Sequence, residues 1–246
     1  MYLWKVEHQF RNGLTEGGKM PQRYRMPSTL LDYMCEMLSR QKDSSFAKSV
    51  CRAKKGVSKI EGLWEQAPCM RKTPLDKDDL LLGIGLPDIP PRNSVTNKAN
   101  AFSNVLSENS EDDRGSMRGA IRHVLWQADI TAKYGGNAAR HIGNCHEREM
   151  PFYPNETLFS SPDDADRTVD QWNNVIGRQL GDRLKHLSTK ERAIQILQKA
   201  LTEGVYRMIQ RSDGYFEIVK EPMNKDEYER AYQQILRLND NGKIKE

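Results

Sequence analysis

Apolar positions along this chain recur mostly at helical spacing and only once at strand spacing. MPSTLLDYMCEMLSRQKD places Leu30, Leu31, Met34, Met37 and Leu38 behind a Ser28 or Thr29 cap, which predicts a helix. A second, short helix is expected over 46–54. Residues 62–97 break the pattern: WEQAPCMRKTPLDKDDLLLGIGLPDIPPRN holds five prolines and reads as a loop-rich segment with one apolar turn around Leu80. An acidic, polar patch, SENSEDDRGS, follows it.

Helical periodicity then dominates. Residues 116–134 read as one helix ended by Gly135 and Gly136, and 137–149 as a second helix packed back on it as an antiparallel hairpin. MPFYPNETLFSSP is expected to be a loop. Ser161 as cap, Pro162 in the first turn, and Asp163 and Asp164 facing the helix dipole predict a third helix to about His186. Ser188 and Glu191 form a capping box for a fourth, carrying Ile194, Ile196, Leu197 and Leu201 and ending at Gly204. In VYRMIQRSDGYFEIVKEP two β-rich runs flank the turn signal SDG, a hairpin, and NKDEYERAYQQILRLND closes as an amphipathic helix. The fold class expected is mainly α: a helical bundle-like core with one small antiparallel β-hairpin. Three parts are expected, namely a basic helical N-terminal region (1–60), a Pro-rich loop or linker (61–112), and a helical domain with its C-terminal hairpin and helix (113–246).

Composition adds limits. No run approaches the ~18 apolar residues of a membrane span, and the start, MYLWKVEHQFRNG, lacks an apolar stretch of signal-peptide length. Any export is therefore expected to use another machine. The net charge of +4 is unevenly spread: residues 1–75 carry 14 Lys or Arg against 7 Asp or Glu. The densest basic run, KSVCRAKKGVSK, lacks the interleaved aromatics of a base-stacking surface and reads as a solvated helix face. Cys35, Cys51, Cys69 and Cys145 form no CxxC pair and read as buried or free thiols, with one bridge among the first three as the alternative in an oxidising space.

The candidate chemistry lies on three successive helices. The first carries Arg122, His123, Trp126 and Gln127, with His123 and Gln127 on one face. The second ends in Cys145, His146 and Glu147. The third bears Asp166, Asp170, Asn173, Asn174, Gly177 and Arg178, a polar stripe with a glycine gap that admits a neighbouring helix or a substrate. Polar groups on inward faces must find one another, since each unsatisfied one costs roughly 1–3 kcal/mol. The chemistry expected of them is general base catalysis by a histidine, oriented by a carboxylate, with an arginine or an amide holding an anion. His123, His146, Glu147 and Asp170 are the catalytic candidates, and Arg122, Trp126, Gln127, Asn173, Asn174 and Arg178 the substrate-binding ones. The structural alternative is a network that only fixes helix register.

No cofactor is required by any motif. HExxH is absent, and His141, Cys145 and Glu149 would make an unorthodox zinc site. Adjacent on a helix, His146 and Glu147 point about 100° apart and serve together as ligands only at a distorted helix end. The metal reading left open is a divalent ion on His123, His146 and Asp170. GxSxG is missing, and GIGLPDIP is no phosphate loop. His8 and His186 read as surface or linker residues, and Trp4, Trp64 and Trp172 as packing residues.

Taken in order, AIRHVLWQA, KYGGNAARHIGNCHE and VDQWNNVIGRQLG resemble a bacterial toxin or effector-type domain of uncharacterised chemistry, with the pattern RHxxW, HE, DxxNNxxGR. The resemblance covers about 116–181 and matches Arg122, His123, Trp126, His146, Glu147, Asp170, Asn173, Asn174 and Gly177. It departs at Cys145, where a small residue usually precedes His-Glu, and at Gln171-Trp172. The resemblance implies a secreted antibacterial effector of the kind delivered by type VI-like secretion systems, without a signal peptide and acting in the recipient's periplasm or cytoplasm. The expected activity is hydrolysis of the recipient envelope, peptidoglycan or lipid. For a glycan, Glu147 would be the acid and Asp166 or Asp170 the second carboxylate; for an ester or amide, His123 or His146 would be the base. Implied partners are a cognate immunity protein, a secretion-system adaptor or spike component, and a polymeric envelope substrate. The alternatives are a non-enzymatic interaction protein and a nuclease-type toxin, the latter favoured by the basic N-terminal region but lacking a recognisable metal motif.

Overall fold

Short polar side chains fix where the helices start. In the computed structural model, which describes residues 69, 72–76, 79–85, 93–106, 114–147 and 155–245, a π-helical turn, Asp79–Ile84, comes first. Ser94 Oγ then accepts from Asn97 N at 3.1 Å and opens α1 (Val95–Ser103). Ser116 Oγ accepts from Gly119 N at 3.0 Å and opens α2 (Met117–Tyr134). Gly135, at φ 87°, ends α2 in a conformation open to glycine and leads directly into α3 (Gly136–His146). After a two-residue strand, β1 (Leu158–Phe159), Ser161 and Pro162 begin α4 (Pro162–Arg183). The Ser188–Glu191 capping box begins α5 (Thr189–Glu203). Strands β2 (Val205–Gln210) and β3 (Phe216–Glu221) pair from Val205↔Glu221 to Gln210↔Phe216, and Asn224 caps α6 (Lys225–Arg237).

The protein is mainly α with a small three-stranded antiparallel sheet of order β1-β3-β2. Two segments are more regular than their sequence suggests. The stretch expected as linker, 61–112, contributes α1, whose Val95, Ala99 and Phe102 are buried; its prolines lie upstream and leave 94–103 free to coil. The expected loop before Ser161 contains β1, paired with β3 at Leu158↔Glu217 and Phe159↔Phe216. The helices expected over 28–54, the basic N-terminal region, His8, Trp4, Trp64, Cys35 and Cys51 lie outside the described residues. No described helix is long and apolar enough to cross a membrane.

The described residues all belong to one unit, Ala67–Glu246, with α2 at its centre. Between Gly119 and Thr131 every residue of α2 except Arg122 is buried. A helix covered all round buries its polar groups as well as its apolar ones. Asp129 shows how one such group is satisfied: its Oδ2 accepts from Thr189 Oγ1 at 2.9 Å and its Oδ1 from Arg192 Nε at 2.6 Å. Burial pushes the Asp129 carboxyl up, and the Arg192 guanidinium opposes that shift.

Helices α2 and α4 run parallel in close contact, pairing Gly115 with Asp166, His123 with Asn174, and Gln127 with Arg178. Two glycines of α4 permit the approach. A Cβ on Gly177 would lie 2.4 Å from Val124 O, and one on Gly181 2.5 Å from Ala128 O. Both obstacles are backbone, so the helices would have to separate. Gly177→Ala is expected to destabilise the protein by about 1–3 kcal/mol through overpacking, despite alanine's higher helix propensity. Gly136→Ala, where a Cβ meets nothing within 4 Å, is expected to be neutral or slightly stabilising. Urea unfolding of the two variants measures both, and equal midpoints would refute the close-contact account.

Candidate functional site

Of the candidate residues, His146, Glu147, Asp170 and Asn174 gather around His123, which is 4% exposed. Its Nε2 faces Asp170 Oδ2 at 3.2 Å, and its Nδ1 faces Asn174 Oδ1 at 3.2 Å. Asp170 and Asn174 are four apart on α4, so one helix face presents both acceptors to the two edges of the ring. The Glu147 carboxylate approaches from the end of α3, with Oε1 at 4.0 Å from His123 Nδ1. His146 lies beside it, its ring centroid 5.7 Å from that of His123 and 5.2 Å from that of Trp126.

Helix α3 stops at His146, and Glu147 takes φ −79°, ψ 19° as the residue after it. The helix expected to run to 149 therefore ends where the two side chains need to diverge from helical geometry. Both consequently reach His123: one donor atom from each of His123, His146 and Glu147 lies within 4.8 Å of the others. Asp170 does not complete the set proposed with the two histidines. It holds the other edge of the His123 ring, and Glu147 takes the third place.

The helix end is also covalently fixed. Cys145 is bonded to Cys69 across a sequence separation of 76, and His141 Nε2 lies 3.0 Å from Cys69 O one turn earlier. Neither expected cysteine state, free thiols or a bridge among the first three, holds for this pair. The partners come from elements distant in sequence, which spacing alone does not link.

A cavity of about 280 Å³ opens above this centre, lined by Thr96, Ala99, Asn100, Arg122, His123, Trp126 and His146. Trp126 is oriented there by a hydrogen bond from Nε1 to Thr96 Oγ1 at 3.0 Å, while Thr96 Oγ1 donates to Gly85 O at 3.0 Å. The α1 wall was missed in the sequence. Its signal, a Ser94 cap followed by Val95, Ala99 and Phe102 at helical spacing, was present beside the prolines that obscured it.

Several candidates are placed elsewhere. Asn173 points away from His123: its Nδ2 donates to Tyr206 O at 2.9 Å and its Oδ1 accepts from Tyr206 N at 3.1 Å, which clamps β2 to α4. Gln127 is fully buried between α3 and α4 and accepts from Arg178 Nη1 at 3.1 Å. Burial and the nearby Arg140 push the Arg178 guanidinium down to about 10. Asp166 accepts from Gly115 N at 2.7 Å but stays near the Glu147 carboxyl. Trp172 packs against Tyr206 at 4.8 Å, and His186 is exposed.

The electrostatics favour neutral forms. Burial, then the neighbouring His146 and Arg122, hold His123 well below the ordinary histidine range. Burial and the nearby Asp166 push the Glu147 carboxyl up to about 8. A neutral imidazole carries one N–H, yet oxygen acceptors face both ring nitrogens. Gln127 Nε2, Glu147 Oε1 and Asn174 Nδ2 are also buried without hydrogen-bond partners. Incomplete pairing of this kind is costly in a purely structural network. An arrangement of two imidazoles, two carboxylates and an arginine beside a cavity can transfer protons, hold a cation and bind an anionic group.

Because the bridge fixes the helix end that carries His146 and Glu147, its loss should act on stability and on the site together. In a chain-entropy account, closing a loop of this length contributes about 3–5 kcal/mol. Cys69→Ser with Cys145→Ser is expected to lower unfolding free energy by that order in denaturant titration. It is also expected to speed amide hydrogen exchange over 136–146; unchanged exchange there would contradict the anchoring role.

Residues 87–205, just under half the chain, match a protein family described as a domain of unknown function (DUF6973). The match contains every residue around His123 and the α1 wall of the cavity, and it ends at the first residue of β2. Cys69 lies outside it. No curated protein and no solved structure matches the chain.

Proposed function

We propose that the chain is a hydrolase acting on a polymer of the bacterial envelope, deployed as an antibacterial effector and neutralised by a cognate immunity protein. The observation that carries this reading is the contrast between two buried polar centres on α2. Around Asp129 the carboxylate oxygens are paired with Arg192 and Thr189, as a structural network requires. Around His123, Glu147 Oε1 and Asn174 Nδ2 lack partners, and the centre opens on a cavity. Strained accounting beside a cavity is where functional sites are found.

The roles follow from position. His123, His146 and Glu147 form the water-activating centre, and Asp170 orients His123. Arg122, which lines the cavity, binds an anionic or carbonyl oxygen of the substrate, and the Trp126 ring supplies an apolar wall. The Cys69–Cys145 bridge supports action in an oxidising space such as the periplasm, since structural disulfides are rare in reducing compartments.

Expression of the wild type in a susceptible bacterium, with and without an export signal, tests the proposal. Growth arrest is expected only on export, and His123→Ala and Asp170→Asn are expected to restore viable counts by at least about 100-fold, the usual scale for losing a proton-transfer group. Toxicity confined to the cytoplasm would point to a nucleic-acid or nucleotide target. Absence of toxicity in both compartments would point to a non-enzymatic interaction protein.

A further inference from the structure

We propose that His123, His146 and Glu147 bind one divalent first-row cation, zinc by preference, at the floor of the cavity between α1 and α2. This deepens the hydrolase reading and rests on it for its chemical purpose. Among the described residues two groups of metal-ligand type converge. In the other, Cys69, His141 and Cys145, both sulfurs are committed to the disulfide and offer no thiolate. In the His–His–Glu group no ligand atom is consumed by a covalent bond.

Its geometry lies close to a coordination shell. Zinc bonds of about 2.0–2.2 Å separate tetrahedral ligands by roughly 3.4 Å. The three donor atoms stand within 4.8 Å of one another, so binding requires each pair to close by about 1.4 Å or less. Rotation of the His146 and Glu147 side chains can supply that movement without shifting the helix end that the Cys69–Cys145 bridge fixes.

Three further features favour a cation. Glu147 is 5% exposed, and its Oε1 has no hydrogen-bond donor. A buried carboxyl oxygen that faces two histidines and meets no donor is open to a cation. Secondly, Asp170 takes the Nε2 edge of His123 at 3.2 Å. That is the carboxylate–histidine arrangement which fixes a ligand ring and leaves the opposite nitrogen's lone pair for a metal.

Thirdly, with Nε2–H donated to Asp170, Nδ1 bears a lone pair, faces the oxygen of Asn174 at 3.2 Å and lies 4.0 Å from Glu147 Oε1. A cation reconciles these electron-rich atoms. Turning the Asn174 amide would give Nδ1 a hydrogen, but it would leave Glu147 Oε1 unserved. His123 and His146 also line the cavity, so three protein ligands would leave one coordination position facing it, as catalytic rather than structural sites do. A zinc ion held there would bring the acid constant of its bound water towards neutrality.

The full chain, stripped with chelator and titrated calorimetrically with zinc chloride, is expected to bind one equivalent at micromolar or tighter affinity and to melt at a higher temperature with zinc than without. Glu147→Gln, which keeps the shape and removes the charge, and His146→Ala are each expected to weaken binding at least 100-fold. Asp170→Asn, a positioning change, is expected to weaken it about 10–100-fold. His141→Ala should leave it unchanged. Circular dichroism of each stripped variant establishes that it is folded. Failure to bind at 1 mM zinc overturns the proposal, as does binding that survives Glu147→Gln and His146→Ala or is lost in His141→Ala. Absence of binding, with toxicity still abolished by His123→Ala, removes the metal and keeps the hydrolase. Binding as expected, with no toxicity to abolish, removes the hydrolase and keeps the metal.

Discussion

The approach of α4 to the backbone of α2 is the constraint on which the rest of the structure depends. Gly177 and Gly181 lie where any side chain would strike the carbonyls of Val124 and Ala128. At that spacing the next row outward, Asp170 and Asn174, meets both edges of His123 without an intervening water layer. Gly143 performs the same service on α3, where an added Cβ would stand 2.9 Å from Gln127 Nε2. Three glycines on two helices thus let a polar centre form along the buried length of α2.

Burying polar groups in α2 has two different outcomes along its length. Towards the C-terminal half, Asp129 is paired from α5, where Arg192 also donates to the carbonyls of Leu184 and Leu187. Such a group specifies register and is inert. One turn and a half earlier the surroundings of His123 supply acceptors in excess of donors, and desolvation discourages the ring from taking the extra proton that would balance them. The difference lies in the company each group keeps rather than in its burial.

Much of the helical architecture was legible in the sequence because helix starts and stops are local chemistry. The Ser161 and Ser188 caps and the glycine ends at 135 and 204 were readable from a few residues each. The stripe of Asp170, Asn174 and Gly177 was legible for the same reason, as a helical period. Three things were not. Adjacent Asn173 and Asn174 point about 100° apart, so only the positions of α2 and β2 decide which faces His123 and which clamps Tyr206. The end of α3 at His146, on which the approach of Glu147 depends, falls three residues short of the 149 that the sequence pattern suggests. The pairing of Cys69 with Cys145 joins elements whose proximity no spacing rule predicts.

The bridge beside His146 has a thermodynamic corollary. Two thiols form a disulfide in proportion to the effective concentration at which the fold holds them together, and Cys145 is held by the same helix end that presents His146 and Glu147. Anything that docks that end more firmly raises the thiols' effective concentration, and closing the bridge returns the same free energy to the docking. By reciprocity, an ion bound at the His123 centre as proposed and oxidation of the cysteines would be linked equilibria. The protein's reduction potential would then record what sits between its histidines.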